Sequence, residues 1–175
     1  RNDLLEQNII EDKQKTIAVE SDDGEDSSDV SFTLREVSEK PLSDKDKGWV
    51  LDLDVIPGER VVSQPTFPSG ADRSRVRFST LTTSSNPCSA GTDGFLMEIS
   101  LISGGRVNEP VFDLNNDGEG DHEQFSGVKG VLSGEKLTTI RDGDVDRIVD
   151  PNRRNVNLLP GDMSAGRQFW RELGR

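Results

Sequence analysis

The sequence has few of the residues that mark several common classes of site. It has one cysteine, Cys88, so no disulfide can form within the chain. Because no histidine and no activating cluster lies near Cys88 in sequence, a structural cysteine that is unpaired or paired outside this chain is a simpler interpretation than a catalytic nucleophile. The only histidine, His122, has no second histidine and no cysteine near it, which argues against a zinc site. No run of about 18 apolar residues occurs, so no transmembrane helix is predicted.

Basic and apolar residues are also scarce. The chain has 21 Lys and Arg against 33 Asp and Glu, which gives a formal net charge of −12. Because phosphate binding needs a basic surface, this charge argues against a nucleic-acid partner. Only 31% of the 175 residues are hydrophobic, although the length is sufficient for one domain with its own core. We expect an acidic, cation-compatible surface. The low apolar content also leaves open that the chain is part of a larger protein in which another segment completes the core.

What the sequence does contain is the alternation of apolar and polar residues that is typical of β-strands. Residues 15–20 and 30–37 are predicted strands, and the second has Val, Phe and Leu on one face and Ser, Thr and Arg35 on the other. The segment between them, residues 21–29, holds five acids without regular ligand spacing, so a solvated loop is favoured over a calcium site. No helix longer than two turns is predicted.

Residues 48–105 carry the clearest pattern. Four short strands are predicted at about residues 49–54, 59–66, 75–82 and 95–102, and they are separated by Gly- and Pro-containing turns. Four such strands predict one antiparallel sheet of the size of a single propeller blade. The fold class is therefore mostly β, a partial β-propeller with one complete blade and parts of its neighbours. Trp49 and Trp170 are interpreted as packing residues.

The C-terminal third contains further strand signals. Residues 137–141 and 145–149 flank Asp142-Gly143-Asp144, which indicates a hairpin. Residues 168–172 could add a last strand.

The segment DLNNDGEGD, residues 113–121, has the spacing of a calcium loop. In EF-hand-type loops oxygen ligands occupy positions 1, 3, 5, 7 and 9, and a glycine at position 6 permits the sharp turn. Gly118 falls at position 6, while Gln124 replaces the usual bidentate Glu at position 12, which predicts a weaker site. The predicted ligands are the side chains of Asp113, Asn115, Asp117 and Asp121 and the main-chain carbonyl of Glu119.

Two alternatives stay open beside this interpretation. An acidic Asn/Asp/Gly turn is common on protein surfaces and needs no ion. A second set of carboxylates, residues 142–150, has similar spacing, but Arg147 stands at its position 6 and a hairpin explains the Asp-Gly pair equally well.

Several of these segments together resemble the C-terminal propeller region of the PilC/PilY family of type IV pilus tip-associated adhesins and biogenesis factors. The resemblance lies in RNDLLEQNI, GWVLDL, GERVVSQP, RFSTL followed by NPC, GFLMEIS, FDLNNDG and GRQFWREL, which occur in the family's order. It implies that residues 1–175 are a C-terminal fragment of a longer propeller protein. It also implies a calcium ion (Ca²⁺) on the matching residues Asp113, Asn115, Asp117, Glu119 and Asp121.

The functional expectations follow from that resemblance. It implies a non-enzymatic module located at the pilus tip, the cell surface or the outer membrane after export through the periplasm. Its partners would be minor pilins, the rest of the parent propeller, and a host or abiotic surface, and calcium would tune pilus assembly or retraction, twitching motility and attachment. The alternatives are a generic calcium-stabilised extracellular domain and a fragment of a propeller enzyme, whose catalytic channel one blade could not reveal.

Overall fold

The computed structural model describes residues 2–20, 27–61, 64–68, 74–83, 92–115, 117, 125–129, 138–142, 145–149 and 155–158. Within these ranges every regular element is a β-strand, and none is a helix, so the predicted mostly-β class is confirmed. The strands are β1 (Leu5–Gln7), β2 (Ile9–Glu20), β3 (Ser27–Val37), β4 (Trp49–Leu51), β5 (Arg60–Val61), β6 (Arg75–Thr83), β7 (Thr92–Asp93), β8 (Phe95–Ser100), β9 (Phe112–Asp113), β10 (Gly127–Lys129), β11 (Thr138–Asp142), β12 (Val145–Val149) and β13 (Asn155–Leu158).

The largest sheet has seven strands in the order β2-β3-β10-β8-β6-β5, with β7 paired to β6. All of its pairings are antiparallel. The long β2–β3 hairpin forms one side of the sheet, and β10 joins it to the predicted strands of the 75–102 region. Segments far apart in sequence therefore share one sheet.

The prediction that the strands of residues 48–102 form one sheet is only partly right. β5, β6 and β8 are neighbours as expected, but β4 pairs in parallel with β1 in a separate two-stranded sheet. Trp49 and Leu51 of β4 pack against apolar residues on one face of the large sheet, so β4 covers that face instead of extending the sheet. Alternation predicts that a segment is a strand, but burial decides which strand it pairs with. The blade boundary at about 48–105 stays a prediction.

Both faces of the large sheet are buried by hydrophobic clusters. Along β8, Leu96 belongs to one cluster, whereas Phe95 and Met97 belong to the other, because successive side chains point to opposite faces. This explains why β8 reads as a nearly continuous apolar run. The first cluster contains Ile17, Phe32, Leu34, Leu96, Val111, Phe112, Leu114, Phe125 and Val128. The second cluster contains Val37, Val76, Phe78, Phe95, Met97 and Ile99.

A glycine at the centre of the sheet sets the spacing of its neighbours. Gly127 of β10 is paired with Arg35 of β3 on one side and with Met97 of β8 on the other. A Cβ atom added at Gly127 would lie 2.4 Å from the Met97 sulfur. The absence of a side chain there therefore lets the Met97 side chain lie across β10.

The first strand is tied to two segments distant in sequence by one buried glutamine. Gln7 of β1 donates to the carbonyl oxygens of Lys40 (2.8 Å) and Ser103 (3.0 Å). Its side-chain oxygen accepts from the Ser38 hydroxyl at 2.6 Å and from the Lys40 N–H at 3.1 Å. Because the side chain is fully buried, these four bonds satisfy a polar group that would otherwise be costly to desolvate.

A four-stranded antiparallel sheet in the order β11-β12-β13-β9 contains the rest of the described strands. Asp142 faces Val145 in the β11–β12 pairing, so the predicted hairpin is confirmed. β13 was not predicted, and the strand predicted at 168–172 lies outside the described residues. β9 pairs with β13 through Phe112 opposite Leu158 and Asp113 opposite Asn157. This sheet thus holds the start of the predicted calcium loop.

Candidate metal site

The first predicted ligand, Asp113, is the last residue of β9 and is almost completely buried. Its exposed fraction is 2%, and its neighbours Phe112 and Leu114 both belong to the first cluster. Strand pairing and packing therefore fix the backbone on both sides of this carboxylate. Placing a carboxylate in such surroundings requires compensation by hydrogen bonds, a cation or both.

The next two predicted ligands, Asn115 and Asp117, are brought together by a local turn. The Asn115 amide nitrogen donates to Asp117 Oδ2 at 2.6 Å, and the Asp117 main-chain N–H donates to Asn115 Oδ1 at 3.3 Å. Asn115 is half-buried and Asp117 is exposed. This Asx-type contact brings two alternate side chains together, with the Asn115 nitrogen rather than its oxygen facing the Asp117 carboxylate.

The remaining predicted ligands cannot be placed. Glu119 and Asp121 lie outside the described residues, as do Gly118 and His122. In the part of the chain that the structure describes, no group of three or more Asp, Glu, His or Cys side chains is arranged to hold a metal ion. The described donors, two carboxylates and one amide, are hard oxygen ligands that suit calcium better than a soft metal.

In the second acidic motif, residues 142–150, the described residues lie in strands. Asp142 ends β11, and Asp146 lies within β12, paired with Arg141 of the neighbouring strand. A ladder pairing of this kind favours the hairpin interpretation over a loop wrapped around an ion. Cys88 and Trp170 lie outside the described residues, and Trp49 packs against the second cluster as predicted.

Two groups of buried ion pairs lie on opposite faces of the large sheet. The sequence patterns did not predict either of them. In one of them the Arg35 guanidinium donates to both oxygens of Asp12, at 2.8 and 2.9 Å, and to Glu59 Oε1 at 2.7 Å. Its guanidinium carbon lies 3.7 Å from the centre of the Phe95 ring. Glu59 also accepts from the Thr80 hydroxyl at 2.6 Å.

The environment of Arg35 keeps it charged. Burial lowers the pKa of the guanidinium, but its hydrogen bonds to Asp12 and Glu59 raise it by more, so the pKa lies above its ordinary value. The group links β2, β3 and the segment that precedes β5.

The second group lies on the other face, because Glu98 is two residues from Leu96 along β8. Arg75 and Arg77 of β6 approach its two carboxylate oxygens at 3.0 and 2.9 Å. Alternation predicted polar positions here, and those positions are polar but buried, since both faces of the sheet are covered. The only sign of these ion pairs in the sequence was that acids and arginines occur within predicted strands. Which strands would be neighbours could not be predicted from the sequence.

A cavity of about 560 Å³ opens beside the second group. It is lined mainly by polar side chains, among them Lys40, Arg75, Ser103, Arg106 and Glu109. Two of its cations are already compensated, Arg75 by Glu98 and Arg106 by Glu36 and Glu39. None of the predicted site residues lines it.

Comparison with known proteins identifies a solved structure that is similar to this chain. No protein-family model matches the chain, and no curated protein matches it. Among solved structures, the crystal structure of the Pseudomonas aeruginosa PilY1 C-terminal domain is similar, with a TM-score of 0.66 and 21% sequence identity. The match covers 93% of this chain and 33% of that chain, so this chain spans about a third of its length.

No helix in the described ranges is long and apolar enough to cross a membrane. The strand content and the structural match together confirm at the level of fold what the sequence resemblance implied. The chain has the fold seen in the PilY1 C-terminal domain, with its candidate calcium loop beginning at the end of β9.

Proposed function

We propose that this chain is a calcium-binding, non-enzymatic module of a type IV pilus tip-associated adhesin or biogenesis factor. The observation that carries the proposal is the match to the PilY1 C-terminal domain over 93% of the chain. The position of the first loop residues also supports the proposal, because the buried carboxylate of Asp113 is followed by the Asn115–Asp117 turn.

The residues that would hold the ion are the side chains of Asp113, Asn115, Asp117 and Asp121 and the carbonyl of Glu119. A bound cation supplies positive charge among three carboxylates that otherwise repel one another. β9 and its flanking residues hold the first of these ligands in place, and the Asn115–Asp117 contact prepares the turn. With no bidentate Glu at position 12, we expect micromolar or weaker affinity.

In the cell the module would act at the pilus tip or cell surface after export through the periplasm. Its partners would be minor pilins, the rest of the parent propeller, and the host or abiotic surface to which the cell attaches. Calcium occupancy would then influence pilus assembly or retraction and, through them, twitching motility.

Calorimetry on the purified chain tests the binding step. Asp117→Ala removes an exposed charged ligand at no cost to the core, so we expect calcium uptake to weaken at least tenfold while the fold persists. Asp54→Ala, which removes an exposed acid outside the loop, is the matched control and should bind like the wild type. Unchanged uptake in Asp117→Ala would refute the site.

The cellular role is tested with the same Asp117→Ala allele in the parent organism, scored for surface pili and twitching at matched protein levels. We expect altered piliation or motility. Normal pili and normal twitching, with calcium uptake lost, would instead identify a generic calcium-stabilised extracellular domain.

A further inference from the structure

The two edges of the large sheet differ in length and regularity. Among the described residues, β2 ends the sheet on one side and pairs only with β3. It runs for 12 residues without proline or glycine, and its register with β3 is regular from Glu11 to Glu20. The opposite edge strand, β5, has two residues and lies between Pro57 and Pro65. Short strands and nearby prolines protect a sheet edge from further pairing, and β2 has neither.

One face of β2 changes in character along the strand. Ile17 belongs to the first cluster, Val19 packs against it, and the Lys15 ammonium lies 5.9 Å from the centre of the Phe125 ring in the same cluster. Lys13 precedes Lys15 by two residues, so it points to the same face, and it is exposed. This face therefore carries two lysines followed by two apolar side chains.

The character of this face restricts which strand could pair with the edge of β2. In an edge strand, main-chain N–H and C=O groups are directed away from the sheet and are able to pair with a further strand. Apolar side chains on that strand would extend the first cluster beside Ile17 and Val19. Lysines on an edge oppose pairing with a strand that carries no acids, whereas acidic side chains opposite Lys13 and Lys15 would attract them.

A second copy of this chain does not supply the required pattern. If residues 13–19 paired antiparallel with the same segment of another copy, each lysine would face Ile17 or Val19. In a parallel arrangement the lysines of the two copies would lie side by side. Both arrangements lose the complementarity on which cross-strand pairs depend. The edge therefore suits a strand of a different sequence.

We propose that the outer edge of β2 binds an extended segment of a partner protein, which adds to the large sheet as an antiparallel strand. From its N-terminus, the partner segment carries two apolar residues and then two acidic residues, all at alternate positions. These side chains would face, in turn, Val19, Ile17, Lys15 and Lys13. Antiparallel addition continues the pairing found throughout this sheet in the described residues. The proposal goes beyond the proposed function, because it rests on β2 and needs no ion.

Fluorescence anisotropy with the full chain and labelled synthetic peptides tests the proposal. The probe TVTVTETET places valine and glutamate at the required positions, and the control TVTVTKTKT places lysines opposite the lysines of β2. Since opposite charges stabilise a cross-strand pair and like charges destabilise it, we expect the probe to bind at least about tenfold more tightly. Non-specific attraction to a chain of net charge −12 would favour the control instead. Equal affinities, or no binding of the probe, would overturn the proposal.

A charge-reversed variant locates the preference on β2. Lys13→Glu alters an exposed side chain, so the fold should persist, and one of the two charge pairs becomes repulsive. We expect the preference for the probe over the control to fall at least about threefold. Lys45→Glu makes the same change in net charge at an exposed position outside the strands and should keep the preference. Equal losses in the two variants would assign the preference to overall charge and overturn the site.

N-methylated probes distinguish strand pairing from side-chain attraction. In an added strand, alternate main-chain amides face β2 and the others face away from it. Methylating one alternate set should therefore abolish binding, and methylating the other set should preserve it. Equal behaviour of the two methylated probes would overturn strand addition.

Hydrogen exchange measured by mass spectrometry on the full chain locates the bound probe. Amides of β2 should exchange more slowly when the probe is bound, whereas those of β6 and β8 serve as the internal control. Slowing at β5 without slowing at β2 would overturn the assigned edge. A dimer of the chain that the probe dissociates would identify a second copy as the occupant and would also overturn the proposal.

Discussion

At the scale of single residues, the fully buried guanidinium of Arg35 shows how this acidic chain uses its few bases. Arg35 bonds two carboxylates, from β2 and from the residue before β5, and stacks on Phe95. Removing the charge would leave Asp12 and Glu59 without their cation in a low-dielectric site. The loss of one partner from a buried pair costs far more than the loss of a surface pair.

We therefore predict that Arg35→Met destabilises the fold by about 3–5 kcal/mol in urea unfolding. Lys47→Met is the control, because its partner Asp3 and the Lys47 side chain are 60% and 76% exposed. That change should cost about 1 kcal/mol or less. Equal losses in both variants would show that Arg35 contributes only as a surface charge does.

A second prediction at this scale concerns Asp46. Hydrogen bonds from the Ser43 hydroxyl (2.7 Å) and the Ser43 main-chain N–H (2.8 Å) lower the pKa of its carboxyl. Since the folded pKa lies below the unfolded one, the stabilisation is present above the unfolded pKa and is lost as pH falls through the folded pKa. We expect Ser43→Ala to raise the pKa of Asp46 in an NMR titration, while Ser43→Thr keeps it low. An unchanged pKa in Ser43→Ala would exclude the hydroxyl as the main cause.

At the scale of elements, the placement of β4 depends on a turn that the sequence marks only as Gly104-Gly105. Gly104 has a φ of +69°, and a Cβ there would lie 2.1 Å from the Trp49 ring. The indole N–H of Trp49 donates to the Leu101 carbonyl at 2.9 Å. The Trp49 side chain thus packs against the turn after β8, and this contact holds β4 over the second cluster.

Gly104→Ala should accordingly destabilise the fold by about 2–4 kcal/mol, from backbone strain together with overpacking. The tryptophan fluorescence should also change, because the Trp49 ring must move. Gly58→Ala introduces an alanine at another positive φ, +81°, so it should show the strain without the spectral change. Identical spectra for Gly104→Ala and the wild type would contradict the contact.

The strands of the large sheet and β4 show which elements could be predicted from the sequence. Period-two alternation located β3 and β6 closely, and a nearly continuous apolar run located β8. Alternation could not predict that β4 pairs with β1, because this pairing depends on the packing of β4 against the second cluster. It also assigned Arg35 to a polar face that the structure covers. The spacing of residues 113–117 predicted ion ligands or a surface turn, and the Asn115–Asp117 contact is a local feature that neither interpretation had named.

At the scale of the whole molecule, the fold is assembled from segments that are distant in sequence. The large sheet combines β2 and β3 with β5 to β8 and with β10. β9, which carries the start of the candidate loop, belongs to a second sheet. Sequence order alone suggested one local blade, and only the family resemblance pointed to the larger architecture. The structural match supports that resemblance at the level of fold.

The buried side chain of Gln7 has a kinetic consequence. Its bonds join residues separated by 33 and 96 positions, and closing such long loops for a few hydrogen bonds costs more conformational entropy than the bonds return until the surrounding sheet has packed. We expect these bonds to form after the rate-limiting step. Gln7→Ala should then leave the refolding rate nearly unchanged and speed unfolding about tenfold or more in stopped-flow chevrons. Gln14→Ala, at an exposed position of β2, should alter neither rate, whereas slower refolding of Gln7→Ala would place the docking of β1 in the folding nucleus.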